Sequence, residues 1–535
     1  MGERLGTAQM DVGSLRWPVS RAARTYHEKV AVVDEHEAVS YRSLEHRVRA
    51  LTSGLDELNI AEGARVGFLG VNSLAHLECC MGVPSARRVL LDLNFRLSAP
   101  ELEFIVQDSE PELLIVDAHQ LAIGRRLRDV CSTVRELVFD GQGECPDDCV
   151  PYAELIRREV DESHPIAPDT LAAISYTGGT TGRPKGVMLS HGNLLANARH
   201  NLIATGHAPS DRWLHVCPMF HVAGTANIFA CTWVGSLQFV LPRFDARAVI
   251  DTIRRERITH AVLVPTMLGM LLDELEREEA GEGLPTVKHI QYAASPITPT
   301  LQRRVLEAFD CDVVQFYGMT EAAPTVTQLS AAAHRAGFRG DEPWRERLRS
   351  IGVPVVGVEA EVRGHDGSEL PVGEIGELWV RGPNVMLGYW AREEATHEAL
   401  DDGWYRTGDA ARADSDGFLY LVDRLKDMII TGGENVYSVE VEAALTEHSA
   451  VAEAAVFGIP DSRWGEAVHG VVSVADRSDV TAEALIAHCR TLLAGYKVPR
   501  TIAITDEPLP KSGAGKVLKK DLREPYWVGH ERRVS

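Results

Sequence analysis

Residues 175–192 read Ser-Tyr-Thr-Gly-Gly-Thr-Thr-Gly-Arg-Pro-Lys-Gly-Val-Met-Leu-Ser-His-Gly, crowding hydroxyls and glycines ahead of Lys185. Backbone N–H groups and hydroxyls in such a loop can close around a polyphosphate, with an ammonium nearby to offset its charge. Thr177, Gly178, Gly179, Thr180, Thr181, Gly182 and Lys185 are therefore candidate phosphate ligands. The Walker A spacing, Gly, four residues, then Gly-Lys-Ser/Thr, is not met from Gly178, where Arg183 takes the place of the second glycine. The expected ligand is ATP, held by another kind of loop.

The elements that must position this loop are legible around it. An apolar approach, Leu171 to Ile174, leads in as a buried strand. Arg65–Gly70, Leu113–Val116 and Ala261–Val264 read the same way, each followed by a helical pattern, which predicts α/β layers around largely parallel sheets. Over 351–381 alternating strands are broken by Gly-Pro turns, which predicts a smaller β subdomain. The polar stretch Asp423-Arg-Leu-Lys-Asp427 lies between apolar segments and marks a domain boundary. Beyond it the pattern predicts a helix from Ser438 to about Glu447, strands Ala452–Phe457 and near Gly470–Val474, and a helix from about Ala482 to Leu493. The expected fold class is α/β: a large N-terminal domain (1–425) of layered α/β subdomains plus a small β subdomain, then a small mobile α+β C-terminal domain (426–535).

Composition narrows the partners. At 535 residues the chain exceeds a single core, and 45% hydrophobic with 25% charged residues is ordinary globular composition. A net charge of −22 disfavours nucleic acid and anionic membrane surfaces. Nine scattered cysteines, with Cys145 and Cys149 the one near pair, argue for a reducing compartment and against a disulfide framework. Residues 1–15 lack the apolar core of a secretory signal, and the apolar stretch Ala261–Leu272 is too short for a membrane span and contains Pro265. A cytoplasmic location without integral membrane association is expected.

Five further stretches accompany the loop: Pro218-Met-Phe-His221, Tyr317-Gly-Met-Thr-Glu321, Trp404-Tyr-Arg-Thr-Gly-Asp409, Asp423 through Asn435, and Pro510-Lys-Ser-Gly-Ala-Gly-Lys516. In this order and spacing the chain closely resembles the adenylate-forming superfamily, which includes acyl-CoA synthetases, aryl-CoA ligases, beetle luciferases and peptide-synthetase adenylation domains. The resemblance implies two steps. A carboxylate attacks the α-phosphate of ATP, giving an acyl-AMP and pyrophosphate; a thiol then attacks the carbonyl and AMP leaves. Negative charge gathers on phosphoryl oxygens in both, so catalysis is positioning plus cationic stabilisation.

By resemblance, Lys516 bridges the attacking carboxylate and the α-phosphate, Thr320 contacts phosphate, and Glu321, a hard carboxylate, holds Mg²⁺. Tyr317 packs on adenine, with Ala294 and Ser295 in the same nucleotide site, while Asp409 and Arg424 hold the ribose. Lys426 matches the hinge on which the C-terminal domain swings between half-reactions. Gly433, Trp464 and Tyr496 fall where CoA ligases surround CoA. His221 borders the acyl pocket, with Val222, Gly224, Ala294, Gly318 and Met319 lining it; several are small, which hints at a bulky acid. Amino-acid-activating relatives carry Asp at the position of His221, so a simple carboxylic acid is favoured.

The chain departs from the pattern twice. Ala293-Ala294 stand where many relatives carry two glycines or Gly-Ala, and Arg87-Arg88 where small residues are usual. The added methyl groups fall where the backbone approaches adenine and the acyl carbonyl. The expected function is an AMP-forming acyl-CoA synthetase for a fatty, aryl or bulky acid, with ATP, Mg²⁺ and CoA. The alternatives are an acid-adenylating ligase that loads a carrier protein, and an enzyme specialised to thioesterification of supplied acyl-AMP.

Overall fold

Strands buried on both faces need unbroken apolar runs, and Leu113–Asp117 is buried at every position. In the computed structural model, which describes residues 12–158, 165–177, 184–278, 283–295, 297–424, 427–431, 434–461, 463–474, 480–511 and 517–528, this strand lies inside an eight-stranded sheet. Its order is Gly388–Tyr389, Lys185–Ser190, Leu171–Thr177, Val89–Asp92, Arg65–Leu69, Leu113–Asp117, Glu136–Asp140, Val150–Pro151. From Leu171–Thr177 onward the pairs are parallel, and the first three strands pair antiparallel. Leu69, Leu91, Leu114, Val116 and Ile174 pack with Leu102 and Ile105 of helix Ala99–Ser109 and Leu127 of helix Leu121–Val130.

A nine-stranded sheet is ordered Val353–Pro354, Thr325–Leu329, Asp312–Gly318, His289–Tyr292, His260–Leu263, Arg212–His215, Leu237–Val240, Val30–Val33, Ala38–Ser40. Its central pairs are parallel, as helix crossovers such as Ala246–Glu256 and Pro265–Glu276 require. Pro265 occupies the first turn of its helix, where its missing N–H costs nothing. Among the described residues no helix is long and apolar enough to cross a membrane.

The described residues form two compact units. The first holds 12–177, 184–359 and 381–405; the second holds 360–380 and 406–528. Strands Glu359–Arg363 and Gly376–Arg381 build the β region expected over 351–381. In the second unit, helices Ser438–Thr446 and Ala482–Leu492 cover a sheet of Glu434–Val436, Ile429–Thr431, Gly465–Val474, Val451–Asp461 and Thr501–Thr505 around Val441, Leu445, Val456, Val472 and Leu485. The hairpin Val451–Asp461/Gly465–Val474 is longer than the sequence suggests. The expected strand ends at Phe457, but Gly458 to Asp461 continue it, with Pro460 paired to Glu466 beside the turn at the end of the ladder.

The two departing arginines are structural. Arg88 is buried and donates to Ile60 O, Ala86 O and Asp56, while Arg87 reaches Glu62 at 3.0 Å.

Candidate active site

The candidate phosphate loop hangs from an antiparallel hairpin. Thr177 faces Lys185 across Leu171–Thr177 and Lys185–Ser190, and the Thr177 hydroxyl lies 3.5 Å from the Lys185 carbonyl. The first strand runs parallel to Val89–Asp92, so the loop leaves the carboxyl end of a parallel array, where open α/β sheets bind ligands. The second strand feeds helix His191–Thr205, whose first turn is capped by Ser190 accepting from Asn193 N at 3.1 Å. Gly178, Gly179, Thr180, Thr181 and Gly182 lie outside the described residues.

Strand Asp312–Gly318 brings Tyr317 and Gly318 to the carboxyl end of the nine-stranded sheet, and the turn Thr320–Ala322 carries Thr320 and Glu321 just beyond. Tyr317, Gly318, Met319, Thr320 and Glu321 are all half-buried. The parallel neighbour His289–Tyr292 delivers Ala293, Ala294 and Ser295 to the same edge, its end fixed by the Tyr292 hydroxyl at 2.9 Å from His334 and 3.1 Å from Gln315. Ala294 is exposed and sits at φ +76°, a left-handed backbone that suits glycine and strains alanine.

His221 ends the turn Pro218–His221. Asn72 holds this turn, accepting from Met219 N at 2.8 Å and donating to Cys217 O at 3.0 Å. Gly224, in the following short helix Val222–Thr225, is glycine because a β-carbon there would stand 2.1 Å from Pro218 O. The His221 ring lies 4.8 Å from Phe220, which meets Phe95 edge-on at 5.3 Å under the guanidinium of Arg96. Its Nε2 is buried with no hydrogen-bond partner. Burial, reinforced by Arg96, pushes the imidazole down to about 4, so it is neutral at pH 7. Asn197 ties this region to the Tyr317–Glu321 run: it donates to Ala226 O and accepts from Thr325 N, both at 3.2 Å, and Thr325 pairs with Gly318.

A segment that the sequence reading passed over connects the hairpin to Glu321. Asn193 donates to the carbonyls of Pro383 and Val385, and Asn384 to those of Ala322 and Thr325, all at 2.7–2.8 Å. Met386 N donates to Glu321 O, Leu387 N to Met188 O and Trp390 N to Gly186 O. Gly388–Tyr389 thereby becomes the edge strand beside Lys185–Ser190. The Tyr389 hydroxyl donates to Glu321 Oε1 at 3.0 Å, and the Lys185 ammonium lies 4.9 Å from the centre of its ring. The one local signal was an aromatic pair, Tyr389-Trp390, after Pro383-Asn384 and Gly388.

In the second unit, Asp409 is buried and pairs through its backbone with Arg424, whose side chain lies outside the described residues. Gly408 before it is at φ +69°, the reason for glycine in Thr-Gly-Asp. Trp464 is flanked by the guanidiniums of Arg463 at 4.7 Å and Arg500 at 5.2 Å, and exposed Tyr496 lies 5.8 Å from the Lys497 ammonium. An aromatic surface edged with cations suits an anionic nucleotide. Lys426, Gly433 and Lys516 lie outside the described residues.

Among the described residues no three His, Cys, Asp or Glu side chains gather as a metal cage. A single oriented carboxylate beside a phosphate-loop lysine fits Mg²⁺, which takes one or two carboxylates together with substrate phosphates. Strands Leu171–Thr177 and Lys185–Ser190 at a sheet's carboxyl end, tied to Glu321 through Tyr389, are the described frame of the candidate site.

The chain belongs to the AMP-binding enzyme family, matching it over residues 19–390 and its C-terminal domain over 440–516. It is 39% identical to a feruloyl-CoA synthase from Amycolatopsis sp. over 95% of this chain and 98% of that one. A fatty acid–[acyl-carrier-protein] ligase, ScoC of Streptomyces coeruleorubidus, is 34% identical over 94% and 95%. Among solved structures, o-succinylbenzoate CoA synthetase (MenE) of Bacillus subtilis in complex with ATP and magnesium superposes with a TM-score of 0.80 at 29% identity, covering 94% of this chain and 98% of that one. The chain is an AMP-forming acid–thiol ligase of the acyl-CoA synthetase type, using ATP and Mg²⁺.

Proposed function

We propose that the acid is aromatic, a phenylpropenoid-type carboxylate, and that free CoA is the acceptor. The observation that carries this is the aromatic wall of Phe95 and Phe220 against a neutral His221 whose Nε2 has no partner. A flat aromatic acid can stack on such a wall and offer a polar oxygen to the imidazole. The similarity to a feruloyl-CoA synthase supports the same choice.

In this reading the loop 177–182 and Lys185 hold the phosphates and Glu321 holds Mg²⁺, which neutralises phosphate charge. Tyr317, Ala294 and Ser295 enclose the adenine, Asp409 and Arg424 the ribose. Thr320 and Lys516 steady the α-phosphate while a carboxylate oxygen attacks phosphorus and pyrophosphate leaves. By the resemblance, Lys426 would serve as the hinge between half-reactions, and Gly433, Trp464 and Tyr496 would guide the CoA thiol onto the carbonyl. AMP departs with the oxygen that came from the acid.

A panel of ferulate, coumarate, benzoate and C8–C16 fatty acids, with acyl-CoA quantified by mass spectrometry, tests the substrate class. The hydroxycinnamates should exceed the fatty acids by tenfold or more in kcat/KM; the reverse order overturns the aromatic reading. The similarity to ScoC favours a second acceptor, a carrier protein. Acyl transfer to phosphopantetheinyl carrier protein outpacing transfer to CoA would establish it. Specialisation to supplied acyl-AMP rests on the strained Ala294 and predicts adenylation far slower than thioesterification.

A further inference from the structure

Tyr405 belongs to the Trp404–Asp409 stretch, yet the ribose assignment of Asp409 gives this buried tyrosine no task. Its hydroxyl hydrogen-bonds the hydroxyl of Tyr389, and Tyr389 in turn donates to Glu321 Oε1 at 3.0 Å. The order of donors is fixed: Tyr389 has one O–H and gives it to Glu321, so between the two hydroxyls Tyr405 donates and Tyr389 accepts. Both rings are nearly closed to solvent, at 5% and 8% exposure, and burial, with the Glu321 charge beside them, raises both phenols above their ordinary range. Two phenol O–H bonds thus point in series at one carboxylate, each polarising the next.

From this relay we infer that Tyr389, backed by Tyr405, is the positioning residue that sets the plane of the Glu321 carboxylate for a divalent cation. The inference rests on the assignment of Glu321 to the metal. A carboxylate at the end of a short turn can rotate; a donor fixed on one oxygen removes that freedom and sets the direction in which the group faces a cation. The ring of Tyr389 carries the second half of the task. Its face meets the Lys185 ammonium, so one side chain registers the phosphate-loop lysine and the metal carboxylate against each other. The backbone latches of Met386 on Glu321 and of Leu387 and Trp390 on Lys185–Ser190 hold the tyrosine in place independently of its hydroxyl. Tyr389→Phe therefore deletes the hydrogen bond while keeping the ring, the cation contact and the strand.

The test is Mn²⁺ affinity for the full-length protein in the presence of a non-hydrolysable ATP analogue, read by electron paramagnetic resonance. Tyr389→Phe should weaken Mn²⁺ about tenfold, the usual scale for losing a partner of a metal ligand, and Tyr405→Phe about threefold. The Mg²⁺ midpoint of ATP–pyrophosphate exchange should shift by the same factors. Thioester formation from supplied acyl-AMP should stay within twofold of wild type. Glu321→Gln separates the two levels of the argument. If Glu321→Gln leaves Mn²⁺ affinity unchanged, the metal assignment itself fails. If Glu321→Gln weakens it and Tyr389→Phe stays within twofold of wild type, the metal assignment stands and the inference is overturned. An equal loss in exchange and in thioester formation would also overturn it, as the mark of a general structural role. Should Tyr389→Phe fail to fold, Tyr405→Phe decides by the same criterion.

Discussion

Gly318 lies so close to Pro324 that a β-carbon on it would stand 1.7 Å from the Pro324 carbonyl oxygen. The residue is glycine because strand Asp312–Gly318 turns back against its own continuation two residues before Thr320 and Glu321. Gly318→Ala must push that turn away, at an overpacking cost of about 1–3 kcal/mol, and ATP–pyrophosphate exchange should drop at least tenfold. Gly224→Ala, facing Pro218 O, should behave alike. Gly269 in helix Pro265–Glu276 is the contrast: its nearest neighbour is 4.0 Å from the β-carbon position, so Gly269→Ala should gain up to about 1 kcal/mol. Urea unfolding and exchange rates measured together check all three.

Ala294 holds φ +76° without glycine's freedom. Ala294→Gly should stabilise the protein by about 1 kcal/mol in chemical unfolding, because the strain lost outweighs the chain entropy gained by the unfolded state. If the methyl group also crowds the nucleotide, the variant should lower the KM for ATP. Unchanged stability would mean that the surroundings bend to suit alanine.

Acid should loosen the first unit. Burial pushes His200, His215, His221, His260, His289 and His334 down to about 4 and His207 to about 3. Unfolded histidine titrates near 6.5. Below 6.5 the unfolded chain binds protons that the folded chain refuses. Their contribution is therefore complete above pH 6.5 and lost as pH falls towards 4. Three buried carboxyls oppose this. Glu78 is held above its ordinary range by burial, though Arg47 partners it at 2.5 Å, Asp140 is pushed up to about 6, and burial raises Asp211. Seven histidines outnumber them, so the unfolding temperature should fall by roughly 10 °C between pH 7 and pH 5. A flat profile over that range would contradict the assignment of neutral buried histidines.

The frame was legible where local pattern and burial agree: Arg65–Leu69, Leu113–Asp117 and His260–Leu263 are strands because their apolar runs need two covering layers. Tyr389 was not legible, since a two-residue strand carries no periodicity and its meaning comes from pairing with Val187, some two hundred residues away. The backbone need for glycine at Gly224 and Gly318 was not legible either, since the carbonyl oxygens of Pro218 and Pro324 approach them only in the folded chain. Arg88 has a structural task, three backbone and side-chain acceptors that only the folded chain assembles.

The fate of one oxygen atom distinguishes adenylation from other routes. If the carboxylate attacks the α-phosphate and a thiol later displaces AMP from the carbonyl, one acid oxygen must end in AMP. Ferulate labelled with ¹⁸O in its carboxyl group, incubated with the protein, ATP, Mg²⁺ and CoA, should give feruloyl-CoA and AMP in equal amounts, each AMP carrying one ¹⁸O by mass spectrometry. Label appearing in inorganic phosphate alongside ADP, or feruloyl-CoA formed with unlabelled AMP, would contradict it.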